Sequence, residues 1–399
     1  MAIFNPTDAS FLANPYPKYQ ELRENKPIYY YDKWDKWIIT RYKDINTLLR
    51  DKRLGRVIYH LKDERFITTP NPEHAAFDAI QKGSLLELEP PDHTRIRQVV
   101  HEVFTPKHVR QLSDKIQAIS KQMTDNIIKK KEFNLISDFA EILPVTVISE
   151  LLGVPKADRL KLVPWSKDII GMFEPEKTLE IEQKAVTAAQ DFADYIRYLM
   201  LKKAKNPADD LISRLVEINK TNPERISESE IVANAILFLN AGHEAVVNVI
   251  GNGVYALLQH PDEFNKLKAD INLLPTAIEE MLRYDSPLQF FERYVLEDME
   301  FKGQVWKTGT KLCLFYASAN HDPEVFDFPE AFDIQRNPNA HISFGLGLHF
   351  CIGAPLARLE LNSALKELIT RMPNIKLIEE PEYQPKNVFR YLKELKLSY

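Results

Sequence analysis

Cysteine is nearly absent: Cys313 and Cys351 are the only two in 399 residues. A disulfide framework is thereby excluded, and so is any metal centre built from three or four thiolates. Basic charge is not in excess either. The formal net charge is −5, so the overall balance does not favour nucleic acid as a partner. The first residues, MAIFNPTDASFLANPY, lack the basic and then apolar segments of an export signal, which predicts a cytoplasmic protein without a membrane anchor. No internal repeat, low-complexity tract or linker divides the chain. With 44% apolar and 27% charged residues it can bury a large core, and it is read as a single domain spanning residues 1–399.

Helical periods dominate what is present, as in DKIQAISKQMTDNIIKKK and QDFADYIRYLMLKKAK, whereas strand-like runs such as KWIIT, RYVLEDMEF and KLCLFYA are short and few. The fold class is therefore mainly α with a minor β region. Cys313 falls in the apolar run KLCLFYASA and reads as a small core residue. The charge run Lys129–Lys131 reads as a solvated helix end.

The longest element is predicted to start at Ser227, where SESE offers a capping box from Ser227 to Glu230, and to run without proline until Pro261. About 30 residues at ~1.5 Å each make a rod of ~45 Å. Asn234, Asn240, His243, Glu244, Asn248 and Asn252 break any apolar run of about 18 residues, so a buried core helix is favoured over a membrane span. Asn240, Glu244, Asn248 and Asn252 recur every four residues and form one polar stripe, beside a stripe of small residues, Ala241 and Ala245. A buried carboxylate needs a partner, which makes Glu244 either a functional acid or a residue satisfied by its asparagine neighbours. GNGVYA, inside the same helix, follows no strand and is not a dinucleotide site.

Cys351 lies in ISFGLGLHFCIGAPLARLEL, among Gly345, Gly347 and Gly353 and just ahead of an amphipathic pattern that starts near Ala354. The glycines permit tight turns, and a helix N-terminus aimed at the sulfur would favour its thiolate. From these residues alone Cys351 is a core cysteine, a nucleophile, a redox thiol or a single axial metal ligand. A lone thiolate cannot hold zinc, but a porphyrin brings four ligands of its own and requires only an axial one.

The stretch FGLGLHFCIG resembles the haem-binding signature of the cytochrome P450 family, of the soluble bacterial type. The resemblance implies haem b as cofactor, with Cys351 as the axial thiolate, Phe344 packed beside the sulfur, and Gly347 and Gly353 admitting backbone amides to it. Further motifs match in the family's order over almost the whole chain. EEMLRYDSP supplies Glu280 and Arg283, and FDFPEAFDIQR supplies Arg336, the family's salt-bridge cluster. Spacing alone would make Glu280 and Arg283 a surface pair. PPDHTRIRQVV implies His93 and Arg97 as propionate donors, joined by Arg293 of FERYV and His341 of NPNAHISFG. AGHEAVVN matches the oxygen-activating segment: Ala241 and Gly242 would leave room for dioxygen, and Glu244 would be the acid. The implied fold is the family's triangular, mainly helical prism.

Ala245 departs from the family pattern, in which an alcohol side chain, usually threonine, follows the acid. A substrate hydroxyl or an extra water then takes its place, or the enzyme uses peroxide, or it performs a reaction other than plain hydroxylation. The resemblance implies a monooxygenase acting with O2 on a lipophilic small molecule of fatty acid, terpenoid or polyketide type. Its pocket would be lined by the loop between Arg56 and Leu88, by Leu288, Phe290 and Phe291, by the small residues of the long helix, and by Val388 and Phe389. Electrons would come from a separate ferredoxin or flavodoxin with its reductase, docking near Lys107, Arg110 and Arg358. Two rivals remain: a thiolate-haem protein that binds ligands without turnover, and a cysteine hydrolase that pairs Cys351 with His349.

Overall fold

A computed structural model describes residues 4–66, 71–104 and 112–399. Their backbone gathers into two compact units, one drawn from residues up to 54, 114–143 and 245–399, the other from 55–113 and 144–244.

In the first unit Ile28–Tyr31, Lys36–Ile39, Lys311–Leu314 and Phe291–Val295 lie side by side in that order. Ile38 faces Cys313 in a parallel pair, and Glu292 faces Cys313 in an antiparallel one. Side chains alternate across a sheet, so Ile39, Leu312 and Leu314 pack with Val295, Trp306 and Ile342. Ile38 and Cys313 point to the other face, into a cluster with Phe4, Trp34, Phe290 and Phe315. Cys313 is fully buried, as its apolar setting predicts, and burial pushes its thiol well above the ordinary value. Met299–Phe301 pairs with Gln304–Trp306 across Lys302 and Gly303, whose φ of 49° and 78° give the two left-handed residues of a tight hairpin turn.

The same unit holds a buried polar knot that spacing does not reveal. Asp285 accepts hydrogen bonds from Tyr16 Oη, Tyr383 Oη and Arg390 Nε, each at 2.7 Å. The Arg390 guanidinium lies 3.4 Å from the Tyr383 ring centre and donates to the carbonyls of Leu12 and Ala13, which ties both ends of the chain to one carboxylate.

The second unit is built round helix Leu179–Lys205, capped by Thr178 and burying Ala185, Ala188, Ala189, Phe192, Ile196 and Leu199 along one side. That stripe packs on helices Leu162–Ile170, Leu211–Thr221 and Ala75–Lys82.

The long helix runs Glu228–Gln259. The capping box forms as the sequence predicts: Ser227 N–H donates to Glu230 Oε2 at 2.7 Å, and Glu230 N–H to Ser227 Oγ at 3.3 Å. Pro261 opens the next helix, Pro261–Ala269. By length and composition this helix is apolar enough to cross a membrane, yet 67% of its most apolar stretch is buried within the protein, as a core helix requires.

Candidate functional site

Within the first unit, helix Leu274–Tyr284 is the platform for the cysteine loop. Ser343 Oγ donates to Leu282 O at 2.7 Å, and Asn320 receives Ile342 N–H at 2.8 Å while its amide donates to Ser286 and Ser343 hydroxyls. The chain then turns back on itself. Gly345 N–H donates to Ile342 O at 2.8 Å, Phe350 N–H to Gly347 O at 3.1 Å, and Cys351 N–H to Phe344 O at 3.0 Å. Cys351 is half-buried, and helix Ala354–Arg371 starts three residues later.

The two glycines flanking Cys351 act differently. Gly347 has φ 71°, and a Cβ there would lie 2.3 Å from the Leu49 carbonyl oxygen, so the loop can approach that backbone only with glycine. Gly353 has an ordinary helical backbone, and a Cβ there would sit 3.8 Å from Sγ; its bareness keeps larger side chains off the sulfur.

Glu279, which the motif reading passed over, collects the groups around this loop. Its carboxylate accepts from Arg358 Nε at 2.6 Å, Arg358 Nη2 at 2.7 Å and His341 Nε2 at 2.9 Å. A carboxylate only accepts, so the proton is on His341 Nε2, while Nδ1 accepts from Ser343 N–H at 3.2 Å. Both ring nitrogens of His341 are thus engaged within the chain. Arg358 also lies 4.6 Å over the Phe344 ring. Burial would raise Glu279, but the Arg358 and His341 hydrogen bonds outweigh it and bring the carboxyl down to about 2. Arg358 is held above its usual value by its bonds to Glu279 first and, further down, by the charge at Cys351. With its side chain 41% exposed, this pair contributes about 1 kcal/mol or less to folding. Arg358, expected on a docking surface, braces the loop while keeping 41% of its side chain exposed; Lys107 and Arg110 lie outside the described residues.

One residue on, Glu280 is fully buried with Arg283. Arg283 donates to it from Nε and Nη2, each at 2.8 Å, and Arg336 Nε approaches its two oxygens at 3.3 and 3.2 Å. Asp333 N–H and Asn339 Nδ2 add further bonds. The surface-pair reading is corrected: the i, i+3 spacing is present, but both side chains are interior.

Arg293 is buried on strand Phe291–Val295. Phe290 and Val388, expected in a substrate pocket, belong to the aromatic core, with Phe290 stacked 4.8 Å from Phe315. Leu288, Phe291 and Phe389 are only half-buried, and Leu288 bridges to Phe389. This is the alternation expected of adjacent residues in extended chain.

In the second unit His93 is fully buried and Arg97 half-buried on helix Asp92–Val103. Arg95 anchors that helix, donating to Glu230 Oε1 at 2.6 Å. The turn at 83–85 is pinned by Asn234, whose side chain accepts from Leu85 N–H and donates to Gly83 O, both at 2.9 Å. Arg56 donates to Glu89 and Glu87, which closes the loop that begins there; Ile67–Pro70 of that loop lie outside the described residues.

Along the long helix, Asn240, Glu244, Asn248 and Asn252 are all buried, while Ala241 is exposed and Ala245 half-exposed. A small-residue face thus opens in the middle of a buried rod. At Gly242 a Cβ would meet Ile148 at 3.3 Å, so glycine also serves helix packing there. His243, overlooked in the motif, is buried with Nδ1 3.6 Å from Glu244 Oε1.

The chain belongs to the cytochrome P450 family, whose sequence model matches residues 48–373. It is 38% identical to the polyketide biosynthesis cytochrome P450 PksS of Bacillus subtilis (strain 168), covering 99% of this chain and 98% of that one. It is 35% identical to the biotin biosynthesis cytochrome P450 of the same organism, with both chains covered in full. Its fold matches the crystal structure of P450BioI in complex with acyl carrier protein ligated to hexadec-9Z-enoic acid at a TM-score of 0.92, with 34% identity, over 98% of this chain and 99% of that one. The protein is therefore an oxidoreductase with the cytochrome P450 fold and haem as its cofactor. The side chains suit that group. Cys351 offers one half-buried sulfur beside the bare backbone of Gly353, and the described residues contain no cluster of three His, Cys, Asp or Glu able to hold a bare metal ion.

Proposed function

We propose that the protein inserts one oxygen atom from O2 into an acyl chain of fatty acid or polyketide type, free or tethered to a carrier protein, with electrons from a separate ferredoxin or flavodoxin and its reductase. The observation that carries this is the Cys351 loop, a half-buried cysteine whose N–H is held by the Phe344 carbonyl and whose sulfur lies beside the bare Gly353. The names of the relatives, one in polyketide biosynthesis and one seen with a carrier-bound fatty acid, supply the substrate class. We read the chain as one domain because the long helix begins among residues of one unit and ends among those of the other. The cytoplasm fits a chain whose relatives are soluble enough to crystallise.

Haem, when bound, supplies oxygen activation, and thiolate donation favours O–O cleavage. In this reading Cys351 holds the iron, and His93, Arg97, Arg293 and His341 take the propionates through charge-assisted hydrogen bonds. Glu244 holds the proton to be delivered, with His243 at 3.6 Å as its neighbour. Ala245 exposes a methyl group and gives no hydroxyl to relay it. Titrating the ferric holoenzyme with hexadecenoic acid, free and carrier-bound, tests the substrate class through the Soret shift. A saturable shift is expected with one or both; silence with both, alongside a shift for a terpenoid, overturns it.

Ala245 favours a second reading, in which peroxide replaces O2 and reductant. In the O2 reading a substrate hydroxyl or a water stands in for the alcohol. Ala245→Thr then adds one hydrogen bond, about 0.5–1.5 kcal/mol, or about a two- to tenfold gain in product per reductant consumed. No gain in coupling, together with rapid peroxide-driven turnover of the unmodified enzyme, decides for peroxide.

A further inference from the structure

We infer that Glu279 is a positioning residue that sets the electrostatic environment of the Cys351 sulfur, acting through Arg358 and the Phe344 turn; this rests on the haem-thiolate reading above. The contacts form one continuous path. Glu279 grips Arg358 with two short hydrogen bonds, at 2.6 and 2.7 Å. The guanidinium is thereby laid over Phe344, at 4.6 Å. The Phe344 carbonyl receives the Cys351 N–H at 3.0 Å. On the other side Glu279 takes His341 Nε2–H at 2.9 Å, and His341 in turn accepts from Ser343 N–H. The segment that enters the loop and the helix that leaves it are therefore both bonded to one carboxylate.

The charges make the role directional. Arg358 is a cation that acts on the charge at Cys351, and Glu279 offsets that cation locally. Adding an electron to a thiolate-bound iron increases negative charge beside the sulfur. An uncompensated cation there favours the reduced state, and an uncompensated anion disfavours it. Removing Glu279 alone and removing Arg358 alone should accordingly shift the one-electron equilibrium in opposite directions, whereas a loop that merely loosened would move both variants the same way. The bare fold does not depend heavily on the pair, because the guanidinium is partly exposed.

The test is reductive titration of substrate-free holoenzyme with dithionite for the wild type, Glu279→Gln, Arg358→Gln and the double variant, each with its reduced, carbon monoxide-bound spectrum. Glu279→Gln should raise the potential and Arg358→Gln lower it, each by about tenfold in the equilibrium, or about 59 mV for a one-electron couple. The double variant should return near the wild type. Shifts of the same sign, or none, overturn the inference. If one variant fails to retain haem, the sign seen in the other decides. A wild type without a thiolate-type reduced spectrum would count against the haem-thiolate reading itself, whereas a wild type with that spectrum and unmoved variants counts only against Glu279.

Discussion

Cys351→Ser is expected to give a folded chain with no thiolate-type absorption in its reduced, carbon monoxide-bound state and with turnover at background. The geometry separates chemistry from folding at this position. The loop is held by backbone bonds, Cys351 N–H to Phe344 O and Gly345 N–H to Ile342 O, and by the anchoring of Ser343 and Asn320, none of which uses the sulfur. The side chain is half-buried and serine is nearly its shape, so the cost in stability should stay within about 0.5–1 kcal/mol. A serine hydroxyl stays protonated near neutral pH, so the electron-rich anionic donor is lost. Haem content, the reduced spectrum and a thermal melt on one preparation check all three points. A variant that kept the wild-type reduced spectrum would show that another atom binds the iron, and the proposed function would fall with it. A wild-type preparation with no Soret band would instead favour the hydrolase reading of Cys351 and His349.

The same contrast between backbone and side chain explains what could be read in the sequence. Local signals were legible: the Ser227–Glu230 box and Pro261 bracket the long helix, observed as Glu228–Gln259, and the apolar alternation around Cys313 placed it in the core. Residues whose role depends on a distant partner were not. Spacing puts Glu280 and Arg283 one turn apart but says nothing of depth, which comes from the packing of 320–336 over them. The pairing of Arg358 with Glu279, 79 residues away, left no trace in local spacing. At Gly242 the approach of Ile148, from a different helix, was equally beyond the reach of spacing. Asp285 and Arg390, 105 residues apart, carry no motif at all. At Gly347 the tight turn was legible and is observed with φ 71°, but only the fold brings the Leu49 carbonyl against it.

Glu279 and Glu280 are adjacent carboxylates with sharply different expected energetics, and the difference makes the second large effect. Glu280→Ala should destabilise the protein by about 3–5 kcal/mol, because Arg283 is fully buried and would keep its charge without a counterion. Its remaining bonds, to the carbonyls of Asn320, Pro329 and Ala331, satisfy donors but do not neutralise it. Set against a typical total of about 5–15 kcal/mol, the loss corresponds to a drop in Tm of about 4–6 °C for a chain of this length and to poor recovery of folded protein. It should also reach the haem site, since Asn320 links the Arg283 cluster to Ile342 and Ser343 at the start of the cysteine loop. Glu280→Gln preserves shape and still strands the cation, so it should retain most of the penalty. Glu279→Gln, facing a partly exposed guanidinium, should cost about 1 kcal/mol or less. Thermal unfolding of the three variants under one buffer decides the matter. If Glu280→Ala melts within about 2 °C of the wild type, the buried ion cluster does not hold this part of the fold together, and the loop's anchoring must come from Ser343 and Asn320 alone.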